Sequence, residues 1–286
     1  MSTSRSDFVR IRGLRYHVRR WGAETAPKLM LLHGLLDASA TWEPVAKILA
    51  QKYQVMCPDW RGLGHSEWPQ DGYWFPDYVG DLAELMDHYA PTPIPLVGHS
   101  MGAQIGSLYA GARPARVSRF ACLDGLFLPD MDASQAPKRM TKWLDDLKQT
   151  RVPKTYASFE ELAGRVRHRN PQLGAEKALF IARCWASEDG HGRVQLLADP
   201  KHELRGPGIY RAAESMAVWK DITAPTLFLD GGKSVFAKAI PADERKRRRA
   251  CFRDYREDVI ADAGHMLHFD APEETGRRIA AFLASP

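Results

Sequence analysis

The chain has 286 residues, of which 44% are hydrophobic and 26% are charged, and its formal net charge is +5. These values are ordinary for a globular protein that buries one sizeable core, with or without an insertion. No apolar stretch approaches the roughly 20 residues of a membrane span, so no membrane partner is expected.

Much of the positive charge lies in one run, at residues 245–249. Pro241, Asp243 and Glu244 begin a helix just before it, and no nucleic-acid-binding motif accompanies it. We therefore interpret the run as a solvated helix face and expect no nucleic-acid partner.

Residues 1–7 lack the apolar core of a signal peptide. The four cysteines are scattered without a C-x-x-C pair, and Cys57 and Cys122 close apolar, strand-like runs. They are predicted to be buried free thiols, so the chain is expected to be cytoplasmic.

Predicted strands and helices alternate from the N-terminus to residue 123. Apolar and polar residues alternate in two runs on either side of Gly13, as in a hairpin; the runs are Phe8–Arg12 and Leu14–Arg20. The later elements are, in chain order, a strand at Lys28–Leu32, a helix at Trp42–Gln51, a strand at Tyr53–Cys57, a helix at Pro76–Tyr89, a strand at Ile94–Val97, a helix from Ala103 and a strand at Val117–Leu123. Such alternation predicts an α/β fold with a mostly parallel central sheet and helices on both faces.

The alternation stops after Asp124 and resumes near residue 226. Residues 128–219 hold no strand-like run but several helical patterns separated by prolines, including Pro171. Strands are predicted again at Thr226–Asp230 and Asp258–Ala261, with a closing helix at Glu273–Leu283. We therefore expect a core domain formed by residues 1–127 and 220–286, and a helical cap formed by residues 128–219.

The pentapeptide at residues 98–102, Gly-His-Ser-Met-Gly, closes a predicted strand and opens a predicted helix. A G-x-S-x-G sequence in this context is a nucleophile elbow, in which glycines let strand and helix crowd together and expose a strained Ser. The helix start also leaves backbone N–H groups free to face a developing negative charge. Ser100 is therefore the candidate nucleophile.

His265 follows Gly264 in a loop after the last predicted strand. From a strand end its neutral imidazole can reach the nucleophile, take its proton and later return that proton to the leaving group. His268 is the competing histidine, which we expect to pack or to bond locally.

These motifs resemble those of the α/β-hydrolase fold superfamily, within it the single-domain serine hydrolases with a helical cap. The resemblance covers nearly the whole chain and includes Leu31-Leu32-His33-Gly34-Leu35, Asp59-Trp60-Arg61-Gly62-Leu63-Gly64-His65-Ser66, the elbow, and the loop of His265 with its trailing Phe269 and Pro272. It implies a triad in the order Ser, acid, His, and an oxyanion hole formed by the backbone N–H groups of Leu35 and Met101. It also implies that His33 shapes a turn.

The acid of the triad is where this chain departs from the common pattern. The resemblance implies an Asp a few residues after the strand at 226–229, but Ser234 occupies that position. Asp124, at the end of the strand that follows the elbow helix, is the preferred replacement, because a subset of the superfamily places its acid there. Asp230 is the alternative, whereas Asp262 lies too close in sequence to orient His265.

A Ser nucleophile favours acyl chemistry, so the expected function is hydrolysis of a carboxylic ester or related acyl compound through an acyl-enzyme. The alternatives are a binding protein with little or no turnover, suggested by Ser234, and a carbon–carbon bond hydrolase or lyase with the same triad. The substrate is expected to be a small molecule with an apolar part; no cofactor or metal is implied, and the oligomeric state is left open. Some aromatic side chains of the cap either line a pocket or form the cap's own core: Phe127, Trp143, Phe159, Phe180 and Trp185.

Overall fold

The computed structural model describes residues 4–170 and 173–285. Residues 1–3, which begin the segment examined for a signal peptide, and Pro171 of the predicted cap lie outside the described residues. Within the described ranges, no helix is both long and apolar enough to cross a membrane.

The strands belong to one large sheet and one small one. The eight-stranded sheet has the order β1-β2-β4-β3-β5-β6-β10-β11; pairing is antiparallel from β1 to β4 and parallel from there to β11. The strands are β1 (Arg5–Ile11), β2 (Leu14–Trp21), β3 (Lys28–Leu32), β4 (Gln54–Pro58), β5 (Ile94–His99), β6 (Val117–Leu123), β7 (Thr155–Tyr156), β8 (Ala186–Glu188), β9 (Val194–Leu196), β10 (Thr226–Gly231) and β11 (Tyr255–Ile260).

Helices cover both faces of the large sheet because its central strands are apolar on both sides. In β3, Leu29 and Leu31 join one buried cluster, whereas Met30 and Leu32 join the other, as the alternation of side chains along a strand requires. The helices are α1 (Glu43–Leu49), α2 (Phe75–Tyr89), α3 (Met101–Ala112), α4 (Ala136–Asp146), α5 (Phe159–Arg169), α6 (Ala175–Trp185), α7 (Ala212–Trp219), α8 (Ala242–Arg249), α9 (Leu267–Asp270) and α10 (Pro272–Ala284). Residues of α1 and α10 pack on one face, and those of α2 and α3 on the other.

Residues 128–219 lie between β6 and β10, which are neighbours in the sheet. The prediction that this segment holds no strand was wrong: β7, β9 and β8 form a small antiparallel sheet within it. Each of these strands has only two or three residues, of which at most one is buried, so no apolar alternation marks it. The division of the chain into a core and a cap stays a prediction.

The basic run at 245–249 was interpreted as a solvated helix face, and for two of its residues this was wrong. Arg248 and Arg249 are buried, because each has acceptors inside the protein. Arg248 donates to the carbonyl oxygens of Leu126 and Leu128, and Arg249 pairs with Asp230. The loop that follows β6 is thereby fixed by a side chain of α8.

Candidate active site

Ser100 lies at a sharp bend between β5 and α3, and its φ of +51° is in the left-handed region that side chains with a Cβ rarely adopt. The bend depends on its glycines: a Cβ at Gly98 would collide with the backbone of Ala103, and one at Gly102 with the carbonyl oxygen of Leu32. This close approach of strand and helix holds the Ser100 side chain at the carboxyl end of the central strands.

His265 lies in the loop between β11 and α9 and meets Ser100 across the sheet. Its Nε2 is 3.0 Å from Ser100 Oγ, and its Nδ1 is 2.6 Å from Asp124 Oδ2. Because the carboxylate accepts a hydrogen bond from Nδ1–H, the neutral ring has Nε2 free to accept the hydroxyl proton. The structure thus brings together the three residues predicted from the sequence.

Asp124 follows β6 and is almost fully buried, with a φ of +43°. Its Oδ1 accepts the backbone N–H of Gly231 at 3.1 Å, and its Oδ2 accepts the hydroxyl of Ser234 at 2.6 Å as well as the imidazole. In the sequence, Ser234 stands out only because it occupies the usual position of the acid, and nothing there predicts the hydrogen bond that it donates to Asp124. Parallel pairing of β6 with β10 brings the two residues together.

The other carboxylates considered for the triad are engaged elsewhere. Asp230 pairs with Arg249, and burial raises its pKa despite that partner. Asp262 is exposed and pairs with Lys233. Neither forms a hydrogen bond with His265 in the part of the chain that the structure describes.

The predicted oxyanion donors belong to segments that adjoin Ser100. Met101 is the first residue of α3, and Leu35 follows Gly34, where an added Cβ would be 3.3 Å from Ser100 Cβ. In the described ranges neither backbone N–H has a hydrogen-bond acceptor within the protein. Both are therefore available to a bound group, as the first N–H groups of a helix usually are.

His33 has two partners that fit the predicted role in shaping a turn. Its Nδ1 is 2.8 Å from the carbonyl oxygen of Gly34, and its Nε2 accepts the backbone N–H of Trp60. Burial lowers the pKa of His33, which keeps this ring neutral. The ring joins the loop after β3 to the loop after β4.

His268 packs, as expected, but its hydrogen bond is not local. Its Nε2 is 3.0 Å from Asp37 Oδ2, and its ring stacks on Trp42 with centroids 4.6 Å apart. Burial alone would raise the pKa of Asp37, but the hydrogen bond from His268 lowers it overall. Sequence reasoning missed Asp37, whose partner is 231 positions away.

Exposed apolar side chains lie in the segments that carry the catalytic candidates. Phe236 is half exposed, and its ring lies 4.1 Å from that of His265, measured between centroids. Leu35, Leu36 and Val235 are also exposed. These side chains form a surface that a small apolar molecule can contact.

The aromatic side chains of the predicted cap are divided between different places. Phe159, Phe180 and Trp185 pack against the apolar cluster of residues 162–196. Trp143 lines a separate cavity of about 780 Å³ together with Trp68 and Trp74. Among the residues that the structure describes, Ser100, Asp124 and His265 do not line this cavity.

Comparisons with known proteins agree with this architecture. The model of the alpha/beta hydrolase fold family matches residues 27–272. The chain is similar to the 2-(acetamidomethylene)succinate hydrolase of Mesorhizobium japonicum, with 27% identity over 274 residues that cover 93% of this chain and 91% of that protein. It is also similar to the 3-hydroxybutyrate-oligomer hydrolase of Cupriavidus necator, with 32% identity over 240 residues that cover 77% and 76%.

A solved structure shows the same fold at lower identity. The thioesterase domain from the curacin biosynthetic pathway superposes with a TM-score of 0.86 and 22% identity, covering 97% of this chain and 99% of that one. The expected fold class is confirmed, and the chain belongs to the alpha/beta hydrolase fold family.

Proposed function

We propose that the protein is a serine hydrolase that cleaves carboxylic esters through Ser100, His265 and Asp124. The observation that carries this proposal is the continuous set of contacts from Ser100 Oγ to His265 Nε2, and from His265 Nδ1 to Asp124. A nucleophile, a base and a group that orients the base are the three parts that acyl transfer through a serine requires.

In the proposed reaction, His265 Nε2 takes the proton of Ser100 as Oγ attacks the ester carbonyl carbon. The tetrahedral oxyanion accepts hydrogen bonds from the N–H groups of Leu35 and Met101. Collapse of the intermediate breaks the bond to the alcohol oxygen, which leaves with the proton from His265. Water then attacks the acyl-enzyme by the same proton transfers, releases the acid and restores Ser100.

Asp124 holds His265 in the required tautomer and stabilises the imidazolium that forms in each step. The carboxylate is itself fixed by Gly231 and Ser234. Because a carboxylate contacts the imidazole, the neutral Ser234 in the usual acid position no longer argues for a protein that only binds. We therefore prefer turnover to the binding-only alternative.

The proposed substrate is a small ester with an apolar part, because Phe236 contacts the ring of His265 and remains half exposed, and Leu35 is exposed as well. Two relatives named above are hydrolases of small acids or their oligomers, by their names, which supports this size class. A carbon–carbon bond hydrolase with the same three residues is the second candidate, and identification of the products separates it from an esterase.

The test combines a p-nitrophenyl ester of a short acid with a fluorophosphonate probe and peptide mapping. We expect multiple turnover and labelling of Ser100 in the unaltered chain. Labelling should be absent in Ser100→Ala and strongly slowed in His265→Ala. The control is Ser187→Ala, which changes a serine of β8. A folded parent chain that neither turns over the ester nor reacts with the probe would overturn the proposal.

A further inference from the structure

A second group of chemically active side chains lies directly behind the candidate triad. Asp37, His99 and His268 come from the loop after β3, the end of β5 and helix α9. Each offers one potential ligand atom, and these three atoms lie within 4.8 Å of one another. All three side chains are at least 98% buried.

The ring of His99 leaves one nitrogen of this group without a hydrogen-bond partner among the described residues. His99 Nε2 is 2.8 Å from the carbonyl oxygen of His265, which can only accept, so Nε2 is the protonated nitrogen. Burial lowers the pKa of His99 well below its ordinary value, so the ring is neutral and its Nδ1 holds a lone pair. Within the described ranges that buried Nδ1 has no donor. In His268 the nitrogen that faces Asp37 Oδ2, at 3.0 Å, is Nε2, and this nitrogen can share an ion with the carboxylate once it has released its proton.

A buried lone pair without a partner is costly in a protein, and a proton, a water molecule or a metal ion can satisfy it. Two imidazoles and one carboxylate are a ligand set that suits Zn²⁺ and other late divalent transition metals, whereas Mg²⁺ and Ca²⁺ prefer oxygen ligands. Bonds of about 2.0–2.1 Å to such an ion require the three ligand atoms to move by less than about 1 Å.

We propose that Asp37, His99 and His268 form a buried binding site for a divalent transition metal ion of the Zn²⁺ type. The carboxylate of Asp37 balances one of the two positive charges, and a fourth coordination position is left for water or an anion. The sequence implies no metal, because its histidines lack the spacing of metal ligands. These ligands come from distant parts of the chain, so no spacing could have revealed them.

Occupation of the site should inhibit the proposed reaction, an effect that rests on the proposed function although binding itself does not. His99 immediately precedes Ser100, and its Nε2 positions the carbonyl group of His265. Asp37 lies two residues after Leu35 and also accepts Trp185 Nε1 at 2.9 Å. An ion that pulls these groups together would displace both the nucleophile elbow and an oxyanion donor.

The partly exposed ring of His265 provides a route to the site. Its centroid lies 4.7 Å from that of His99, and the centroid of His268 lies 4.8 Å from that of His99. Rotation of the His265 side chain would therefore open the space next to His99 to an ion.

The experiment titrates the full-length chain with Co²⁺, Zn²⁺ and Mg²⁺. We expect one Co²⁺ per chain with the strong visible absorption of a tetrahedral complex, displacement by Zn²⁺ and no response to Mg²⁺. Asp37→Asn and His268→Gln should each weaken binding by at least about 10-fold. The matched control, His191→Gln, changes an exposed histidine and should bind as the parent does.

The variant His265→Gln distinguishes an ion bound at the proposed site from an ion bound by the triad. It should abolish ester hydrolysis and retain the Co²⁺ spectrum; loss of the spectrum in His265→Gln with retention in His268→Gln would overturn the proposal. Absence of Co²⁺ binding by the folded, unaltered chain would also overturn it, even if both ligand variants failed to fold. Binding by a chain without esterase activity would refute only the proposed function.

Discussion

Asp124 Oδ2 is 2.6 Å from His265 Nδ1 and 2.6 Å from the hydroxyl oxygen of Ser234. Ser100 and His265 could be predicted because each lies in a local pattern with glycine at a strand end. The acid could not be decided in the same way, because Asp124 follows β6 and Asp230 lies near the end of the neighbouring strand β10. Only the direction of each side chain shows that Asp124 faces His265 and Asp230 faces Arg249.

This geometry leads to a prediction about moving the carboxylate. Asp124→Asn should lower kcat by about three to four orders of magnitude, because a carboxamide does not fix the imidazole tautomer as a carboxylate does. Adding Ser234→Asp should restore at least about 10-fold of that loss, because the Ser234 side chain already reaches the oxygen that His265 contacts. Steady-state kinetics with the p-nitrophenyl ester measures both changes.

The control for charge is Asp124→Asn combined with Ser234→Asn, which has nearly the same shape without the negative charge. It should be as slow as Asp124→Asn alone. Equal rates for the Ser234→Asp and Ser234→Asn double variants would show that position 234 cannot supply the acid.

At the scale of elements, the accuracy of the predicted boundaries depends on burial. β3 and β6 begin and end where predicted, since most of their residues are apolar and buried. β11 begins at Tyr255, three residues before the predicted start, because its first residues are polar and largely exposed. The strands β7, β8 and β9 are shorter than any pattern that periodicity can detect.

In the nucleophile elbow, the tight packing of strand and helix requires the glycines that the sequence supplies. This requirement leads to a prediction about stability. Gly102→Ala should lower the free energy of unfolding by about 1–3 kcal/mol, because its methyl group collides with the backbone oxygen of Leu32. The same displacement should slow labelling of Ser100. Urea denaturation and probe kinetics measure the two effects.

Gly164→Ala is the matched control, because Gly164 lies within α5 and a Cβ there would contact nothing within 4 Å. It should raise the free energy of unfolding by about 0.5–1 kcal/mol, since alanine favours a helix more than glycine does. A Gly102→Ala protein as stable as the parent would show that the elbow relaxes without cost.

At the scale of the whole molecule, residues 128–219 contact the rest of the chain at points distant in sequence. Trp185 donates to Asp37, Tyr73 donates to Asp199 at 2.9 Å, and Leu63 forms a bridge with Ala198. The order of elements could be predicted because strands and helices alternate. These contacts could not, because single polar side chains at loop ends leave no periodic signal.

His202 lies at one of these contacts and provides a pH-dependent test. Its ring stacks on Tyr73 with centroids 3.7 Å apart, and burial lowers its pKa to about 4 from an ordinary 6.5. Between these two values the unfolded chain binds a proton that the folded ring excludes, so stability falls as the pH drops from 6.5 to 4 and then levels off. His202 should account for up to about 3 kcal/mol of that fall.

The test is His202→Phe, which keeps an aromatic ring against Tyr73 and removes the titrating group. Its free energy of unfolding in urea, measured from pH 7 to pH 4, should decrease less than that of the parent. The histidines His33 and His99, whose pKa values are also lowered by burial, are present in both proteins, so the difference between the two curves isolates His202. Parallel curves would mean that the ring of His202 is protonated in the folded chain as readily as in the unfolded one.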